Sequence, residues 1–222
     1  MRLDLVVADL ERLQATGSVL QTKLGQPAVI LNTDAAGVGW ITKLWTRRAS
    51  PSSDWLYPYH VRFMRHSAEL GRRGIVAPDV DRWGMVAGTR RRYVRYRHIR
   101  GESLRSLAAR TGGIDVSGLA AFVAALHVKG IYFRSLHLGN ILQTDADGYA
   151  VIDVADVTFR EKALRAGMRA RNLSFLFSYP EDAARLDAQR FFDAYRRAGS
   201  LDGAQMNALE RAFVSALARR SG

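Results

Sequence analysis

The chain has 222 residues, 48% of them apolar, which is enough to bury a core as one domain or as two small lobes and excludes a disordered tail protein. It has no cysteine, which excludes disulfide scaffolds, thiolate zinc sites and thiol catalysis. Its 33 basic and 21 acidic residues give a formal net charge of +12. This charge favours anionic partners, unless the arginines only form a solvated surface.

The first residues predict a helix rather than a targeting segment. Five apolar residues recur there at helical spacing, namely Leu3, Val6, Val7, Leu10 and Leu13. Acidic residues interrupt them, unlike the unbroken apolar run of a signal peptide. No stretch of the chain approaches 18 apolar residues, so no membrane span is expected. We therefore expect a cytoplasmic protein.

Three strands follow the first helix. Runs with strand character at 18–24, 28–32 and 40–46 are separated by short turn sequences and predict an antiparallel meander. A polar loop with two prolines is predicted at 47–58.

One helix and two further strands complete the first half of the chain. The helix is predicted at 60–73, with four residues on its buried face, Val61, Met64, Ala68 and Leu70. Extended runs are predicted at 81–87 and 92–99. One helix laid against five strands makes a small α+β lobe.

The pattern beyond residue 101 is mostly helical. Helices are predicted at 103–110, 116–129, 161–168, 183–198 and 202–219. A short hairpin is predicted between the second and third of these, with strands at 141–143 and 149–154 and a turn at 145–148. The chain therefore reads as a mixed N-terminal part followed by a mostly helical C-terminal part.

Residues 130–156 are the segment that carries chemistry. A sharply turning polar loop lies between a helix and the hairpin, and it places Asn140 and Asp153 on either side of that hairpin. Two oxygen ligands so placed can share a hard cation such as Mg²⁺ when substrate phosphates complete its shell. The pattern predicts the metal-holding half of a phosphoryl-transfer site.

This segment resembles the protein-kinase-like superfamily, in particular the branch with aminoglycoside phosphotransferases and bacterial lipopolysaccharide core kinases. The loop of that branch often reads H-[RG]-D-L-H-x-G-N-I-L, and residues 133–142 read F-R-S-L-H-L-G-N-I-L. Asn140 falls on the catalytic-loop Asn, and Asp153 in V-I-D-V-A falls on the Asp of the D-F-G motif. The resemblance implies that these two residues hold Mg²⁺ for ATP.

The resemblance also implies a fold. The expected architecture is a two-lobed protein-kinase-like fold of class α+β in a single domain over 1–222. It has a small antiparallel-sheet N-lobe at 1–97, a hinge at 98–102 and a mostly helical, shortened C-lobe at 103–222.

Further nucleotide contacts are implied in the N-lobe. Lys43 matches the third-strand lysine that pairs with nucleotide phosphates, unless it is an edge residue that points to water. The base would lie against the hinge near Tyr96, Arg97 and His98. The sequence G-E-S-L at 101–104 looks like the family's G-x-[ST]-L helix start.

The chain departs from the family pattern at the residue that acts as general base. Ser135 replaces the catalytic-loop Asp that would accept the proton of the substrate hydroxyl, and Phe133 replaces the preceding His. His137 could substitute as the base, but it belongs to the loop pattern of members that keep the Asp, which favours an orienting role. Asp156 is a second candidate base, or else a surface carboxylate.

Other departures concern the phosphates. The first strand turn has only one glycine, Gly25, so no glycine-rich loop is evident. The helix Glu that would pair with the third-strand lysine has no match, because counting back from Gly74 reaches Phe63. Cradling of the phosphates is therefore less well supported than metal holding.

The loop is most similar to lipopolysaccharide core kinases and the related toluene tolerance proteins. That resemblance implies ATP-dependent transfer to a Kdo or heptose hydroxyl of the lipopolysaccharide core, or of another anionic glycan, at the cytoplasmic face of the inner membrane. A basic run suits an acceptor that already carries phosphates, or else is a solvated helix face, and comprises Arg160, Lys162, Arg165, Arg169 and Arg171. The last helix either makes peripheral membrane contact or packs on the C-lobe through Leu209, Phe213 and Leu217.

Two other functional classes stay open. A pseudokinase would bind nucleotide or act as a scaffold without transfer, in partnership with an active paralogue. A nucleic-acid-binding protein would explain the net charge and the basic and aromatic alternation at 90–97. A strand with one buried face explains that alternation equally well, so nucleic acid is the least expected partner.

Overall fold

The computed structural model describes residues 1–47, 57–146 and 148–221 and divides into two compact units, Met1–Ile99 and Arg100–Gly222. The predicted fold class is confirmed, because the N-terminal unit is built on a small antiparallel sheet and the C-terminal unit is mostly helical. Most of the predicted loop at 47–58 lies outside the described residues, as does Asp147 in the predicted hairpin turn.

In its described residues, the N-terminal unit is a five-stranded antiparallel sheet with two helices. Its elements are α1 (Val7–Thr16), β1 (Ser18–Lys23), β2 (Gln26–Thr33), β3 (Gly39–Thr46), α2 (Tyr59–Arg72), β4 (Val80–Met85) and β5 (Arg91–Arg97). The strand order is β1-β2-β3-β5-β4. The predicted meander is therefore confirmed, and each strand lies within two residues of its predicted bounds.

The sheet buries residues on both faces because side chains alternate along a strand. On one face Leu44 lies opposite Tyr93 in the ladder, and both belong to a buried cluster that includes Leu10 of α1. On the other face the Tyr96 ring stacks on Phe63 of α2 with centroids 5.5 Å apart.

The prediction that Leu3 and Val6 belong to the first helix is wrong. Residues before Val7 run beside β4, where Leu3 N–H donates to Trp83 O at 2.9 Å. The strand β4 lies at the sheet edge and offers unpaired backbone groups, so an extended segment satisfies them where a helix would not.

The predicted buried face of α2 is also wrong in part. The buried residues are His60, Phe63, Ser67 and Leu70, whereas Ala68 is exposed. The true stripe keeps helical spacing, but it includes two polar residues that a hydrophobic pattern does not select.

The C-terminal unit consists of helices around two small sheets. Its elements are β6 (Gly101–Ser103), α3 (Leu104–Thr111), α4 (Val116–Val128), β7 (Ile131–Phe133), β8 (Ile141–Thr144), β9 (Tyr149–Val151), β10 (Val157–Phe159), α5 (Ala166–Leu176), α6 (Pro180–Ala183), α7 (Ala188–Ala198) and α8 (Gly203–Ser221). Short 3-10 turns lie at Leu138–Asn140 and Val154–Asp156. The sheets have strand orders β6-β8-β9 and β10-β7.

Two helices of this unit begin later than the sequence predicts. Helix α5 begins at Ala166 rather than at residue 161, because the preceding segment runs back along the end of α4 and Leu164 N–H donates to His127 O at 2.9 Å. Helix α7 begins after its N-cap Asp187, whose carboxylate accepts from Arg190 N–H.

The last helix packs on its own unit. Leu209 and Phe213 are buried, and the Phe213 ring lies edge-on to Phe177 at 5.3 Å. This part of the predicted stripe therefore faces the protein core. In the described part of the chain, no helix combines the length and apolarity that a bilayer crossing requires.

The G-E-S-L segment forms the helix start that the sequence predicts. Gly101 has φ of +145° and lies so close to Gln143 O of β8 that a side chain would collide with it. Ser103 is the N-cap of α3, and its hydroxyl accepts from Ser106 N–H at 3.1 Å. Gly101 is thus required for close backbone approach, and Ser103 is required to cap the helix.

Candidate functional site

The β8–β9 hairpin brings Asn140 and Asp153 to its open end. Asn140 immediately precedes β8, and Asp153 comes two residues after β9. The backbone closes this end, since Ile152 N–H donates to Asn140 O at 3.0 Å. One predicted metal ligand, Asn140, is therefore a partner in this hydrogen bond, and the other, Asp153, directly follows its second partner.

The Asn140 amide is oriented by a hydrogen bond within the loop. Its Nδ2 donates to Ser135 O at 3.0 Å, and the residue is only 9% exposed. Because the NH₂ group is used in this way, Oδ1 is the acceptor end of the amide. The backbone of Ser135 makes this contact, so it does not depend on the side chain that replaces the family's Asp.

Asp153 has a left-handed backbone. Its φ is 56° and its ψ is 47°, immediately before the 3-10 turn at Val154–Asp156. This conformation is uncommon for a residue with a Cβ, and such residues cluster at functional sites. The strain is a reason, separate from the motif, to place chemistry at this residue.

His137 lies in the same loop and carries an unusual buried nitrogen. Its Nδ1 is buried with no hydrogen-bond partner in the described structure, and its ring lies edge-on to Tyr179 at 5.1 Å. Burial, with the neighbouring Arg105 cation, lowers the pKa of His137, while Asp182 and Asp153 act in the opposite direction. The imidazole is therefore favoured in its neutral form, which can accept a proton.

A buried carboxylate holds the middle of the loop. Asp182 of α6 is 0% exposed and accepts two hydrogen bonds from the Arg105 guanidinium, at 2.8 and 2.9 Å. Its Oδ2 also accepts from Leu138 N–H at 3.0 Å. The carboxylate thus ties α3, α6 and the loop together, and its charge is compensated by the arginine.

A second buried side chain holds the start of the loop. Asn172 of α5 accepts from Phe133 N–H at 3.1 Å and donates to Phe133 O at 2.6 Å. Its Oδ1 also lies 3.1 Å from His127 Nε2, which must then carry the proton. His127 Nδ1 accordingly accepts from the Tyr195 hydroxyl at 2.6 Å.

The network around His127 is fully buried. Burial lowers the pKa of His127 to about 3 and raises the pKa of Tyr195 to about 12, so both groups are neutral at pH 7. Arg169 completes the network, because its Nη1 donates to the Tyr195 hydroxyl at 3.2 Å. Arg169 is itself buried and its Nε donates to Leu164 O, so its predicted role in acceptor binding is not supported.

Sequence reasoning missed Asn172, Asp182 and Arg105. Asn172 lies 39 residues from its partner Phe133, and Asp182 lies 77 residues from its partner Arg105. A local motif carries no signal for contacts at such separations. The sequence did offer one signal, which is that Asn172 is a polar residue between the apolar residues of a helix. Such a residue needs a hydrogen-bond partner when it is buried.

The remaining predicted site residues belong to the N-terminal unit. Lys43 lies on β3, as predicted, and its Nζ lies 5.6 Å from the ring centroids of both Trp45 and Phe63. Phe63 occupies the helix position where the family's Glu was expected. Phe63 therefore offers Lys43 a cation–π contact, worth about 0.5–2 kcal/mol, and cannot form an ion pair with it.

The β1–β2 connection is a tight two-residue turn. Leu24 and Gly25 have φ of 51° and 72°, the signs of a hairpin turn with both central residues left-handed. The connection between β1 and β2 is therefore two residues long.

The predicted base-binding segment is largely engaged in the sheet. Tyr96 is 7% exposed and stacks on Phe63, whereas Arg97 is exposed. His98 N–H donates to Gly39 O at 2.9 Å. A nucleotide base would therefore need a donor other than this amide.

Comparisons with known proteins give weak likenesses only. No protein-family model matches the chain, and no curated protein matches it. Two solved structures of the bifunctional kinase-methyltransferase WbdD match with TM-scores of 0.49 and 0.46 at 11% identity, covering 85% and 89% of this chain. The chain spans about half of those proteins, 47% and 50%.

A third solved structure is described as a divergent kinase lacking the glycine-rich loop that regulates membrane ultrastructure of the Toxoplasma parasitophorous vacuole. It matches with a TM-score of 0.49 at 14% identity, over 96% of this chain and 77% of the other. Since all three scores lie under 0.5, the side-chain geometry rather than these likenesses bears on function.

The His127 network predicts loss of stability in mild acid. The pKa of His127 is about 3 in the folded protein and 6.5 for the free side chain, so the unfolded chain takes up the proton first as pH falls. The free energy of unfolding should be unaffected above pH 6.5 and should fall by up to about 1.4 kcal/mol per pH unit below it. Urea denaturation across this range measures the slope.

His127→Gln is the control for this prediction. It removes the titrating group, so it should be less stable near neutrality but should show a shallower pH slope than the wild type. Equal slopes in the two proteins would contradict the assignment.

The Arg105–Asp182 pair predicts a large stability effect. Arg105→Ala should lower the free energy of unfolding by about 3 kcal/mol, because it leaves the Asp182 carboxylate buried without its cation. The matched control is Arg110→Ala, which removes an exposed pair with Glu102 and should cost less than about 1 kcal/mol. Similar losses in the two variants, measured by chemical denaturation, would show that Asp182 does not anchor the loop.

Proposed function

We propose that the protein is a divergent kinase-like phosphotransferase that binds a magnesium–nucleotide complex and transfers phosphate slowly. The observation that carries the proposal is the pairing of Asn140 and Asp153 at the open end of one hairpin. One of them is oriented by the loop backbone and the other has a strained left-handed conformation. The first feature costs side-chain freedom, and the second costs backbone strain.

The two residues fit a magnesium ion in donor chemistry. An amide oxygen and a carboxylate are hard oxygen ligands, and Mg²⁺ in phosphoryl-transfer sites takes few protein ligands beside water and substrate phosphates. Among the described residues, no group of three or more histidine and acidic side chains is arranged to hold a metal. The cation would therefore depend on nucleotide phosphates for further ligands, and it would neutralise their charge during transfer.

Lys43 is the proposed phosphate contact in the N-terminal unit. Its ammonium lies 5.6 Å from the ring centroids of Trp45 and Phe63, and the helix position where a glutamate was expected holds Phe63. A cation–π contact leaves the positive charge of the ammonium intact, so the charge that suits a phosphate is retained.

The loop has no carboxylate at the position where the family's general base would accept the proton of the acceptor hydroxyl. Ser135 cannot accept it at neutral pH, and His137 is the neutral group in the loop with an unpartnered buried nitrogen. Loss of a general base costs about 10²- to 10⁴-fold in rate, whereas positioning and charge neutralisation are retained. Slow transfer is therefore the expected behaviour.

The proposed acceptor is a sugar hydroxyl of the lipopolysaccharide core, reached at the cytoplasmic face of the inner membrane. The resemblance of residues 129–140 to the lipopolysaccharide core kinases supports this choice. The net charge of +12 suits an acceptor that already carries negative groups.

A pseudokinase, partnered by an active paralogue, is the second candidate. Phe63 favours it, because a phenyl ring at this helix position cannot form the ion pair that positions the corresponding lysine in active kinases. The tight Leu24-Gly25 turn points the same way.

The basic and aromatic alternation in strand β5 does not support nucleic-acid binding. Tyr93 and Tyr96 are buried in the sheet, so their rings cannot stack on bases. The alternation in this strand follows from burial.

Magnesium-dependent nucleotide binding is the first test. At about a hundredfold excess over the dissociation constant, MgATP should raise the melting temperature by roughly 5–10 °C, and ATP without Mg²⁺ should raise it much less. Asp153→Ala and Lys43→Ala should abolish the shift, while Asp145→Ala and Lys23→Ala, which alter exposed residues elsewhere, should keep it. An equal shift without Mg²⁺, or in Asp153→Ala, would refute the proposed site.

Restoring the base separates the two candidates. In Ser135→Asp, transfer of labelled phosphate from ATP to lipopolysaccharide core should rise by about 10²- to 10⁴-fold if only the base is missing. Ser135→Asn is the matched control, since it has similar size and cannot accept the proton. If Ser135→Asp still binds MgATP but transfers no phosphate, the result would favour the pseudokinase.

A further inference from the structure

A cavity of about 630 Å³ in the C-terminal unit has five arginines among its lining residues. They belong to Arg134, Arg160, Arg171, Arg219 and Arg220. Ser135, His137, Asn140 and Asp153 do not line it, so it is separate from the proposed phosphotransfer residues. We call it the arginine cavity.

The arginines come from segments that are distant in the sequence. Arg134 directly follows β7 and Arg160 directly follows β10, and these two strands pair antiparallel with Tyr132 opposite Thr158. Arg171 lies on α5, and the remaining two lie in the last turn of α8. The fold rather than a local run of charge therefore concentrates them in one place.

The walls of the arginine cavity contribute no acidic side chain, since none of its lining residues is an aspartate or a glutamate. In the described part of the chain, Arg134, Arg171 and Arg219 form no ion pair with a carboxylate, in contrast to Arg105 and Arg110 elsewhere in the unit. Like charges confined to one cavity repel each other, so the arrangement is unfavourable without an anion.

The cavity also has an aromatic wall. Tyr132 and Phe175 line it with ring centroids 6.4 Å apart, and the Arg220 guanidinium lies 3.7 Å over the Phe175 ring. Burial raises the pKa of Tyr132, so its hydroxyl stays neutral and adds no negative charge. A ring or apolar part of a ligand could pack on this wall while charged groups meet the arginines.

We propose that the arginine cavity binds a small ligand that carries two or more phosphate groups on a ring or apolar body. Guanidinium groups bind phosphate oxygens through paired hydrogen bonds, and five of them exceed the needs of one phosphate. The volume is that of a small-molecule site. Of the basic run at 160–171, Arg160 and Arg171 line the cavity, whereas Arg169 is bonded internally. The proposal does not depend on phosphotransfer.

The test is calorimetric titration of the full chain with inositol hexakisphosphate, with inorganic phosphate for comparison. Binding of the hexakisphosphate should be at least tenfold tighter than binding of inorganic phosphate. The double variant Arg171→Gln/Arg219→Gln should weaken it by about a hundredfold, because each charged contact is worth about tenfold or more. The matched control Arg196→Gln/Arg211→Gln removes the same charge from exposed positions outside the cavity and should bind like the wild type.

Thermal stability distinguishes a ligand site from a structural cluster. Without ligand, Arg171→Gln/Arg219→Gln should melt at the same temperature as the wild type or higher, because repulsion is relieved. A lower melting temperature together with unchanged affinity would overturn the proposal. Asp153→Asn should keep its affinity for inositol hexakisphosphate, so failure of the phosphotransfer proposal and failure of this one remain distinguishable.

Binding to vesicles distinguishes a lipid headgroup from a free phosphorylated compound as the ligand. Cosedimentation with phosphatidylcholine vesicles that contain phosphatidylinositol bisphosphate, lost in Arg171→Gln/Arg219→Gln, would identify a lipid headgroup. Binding to the soluble polyphosphate alone would identify a free phosphorylated compound. Affinity for single-stranded oligonucleotides that exceeds that for inositol hexakisphosphate and is equal in the variant and the wild type would overturn the cavity as the anion site.

Discussion

The loop between β7 and β8 depends on two buried polar side chains that come from helices α5 and α6. Asn172 holds both backbone groups of Phe133, and Asp182 holds Leu138 N–H. Between these two points the loop turns sharply enough to reach Asn140 at the start of the hairpin. Because both anchors are buried, water cannot compete for their hydrogen bonds, and the loop conformation is fixed before any ligand binds.

The two units match the kinase-like sequence pattern to different degrees. In the C-terminal unit both predicted cation ligands are present, with the Asn140 amide held by the loop backbone and Asp153 in a left-handed conformation. In the N-terminal unit, Phe63 occupies the helix position where a glutamate was expected, and the β1–β2 connection is a two-residue turn. Under the proposed function, such a chain would keep the groups that neutralise charge and lack those that tune position, as expected of either a slow enzyme or a nucleotide-dependent scaffold.

The sequence was sufficient for the sheet, the hairpin and the placement of Lys43, because strand alternation and turn residues are local signals. It was insufficient for the buried face of α2, where His60 and Ser67 replace apolar residues. It was also insufficient for the loop anchors, since the side chain of Asn172 meets a residue 39 positions away. The sequence predicted the arginine cavity only in part. Its residues come together through packing of the fold and not through spacing along the chain.

The hydrogen-bond chain from Tyr195 through His127 to Asn172 links helix α7 to the loop in a fixed donor and acceptor order. Each member can be exchanged only for a group that keeps that order, so drift at one of the three positions restricts what the other two can become. An evolving lineage would therefore inherit the trio as a single unit. A change in helix α7 would therefore reach the β7–β8 loop through the direction of one imidazole proton.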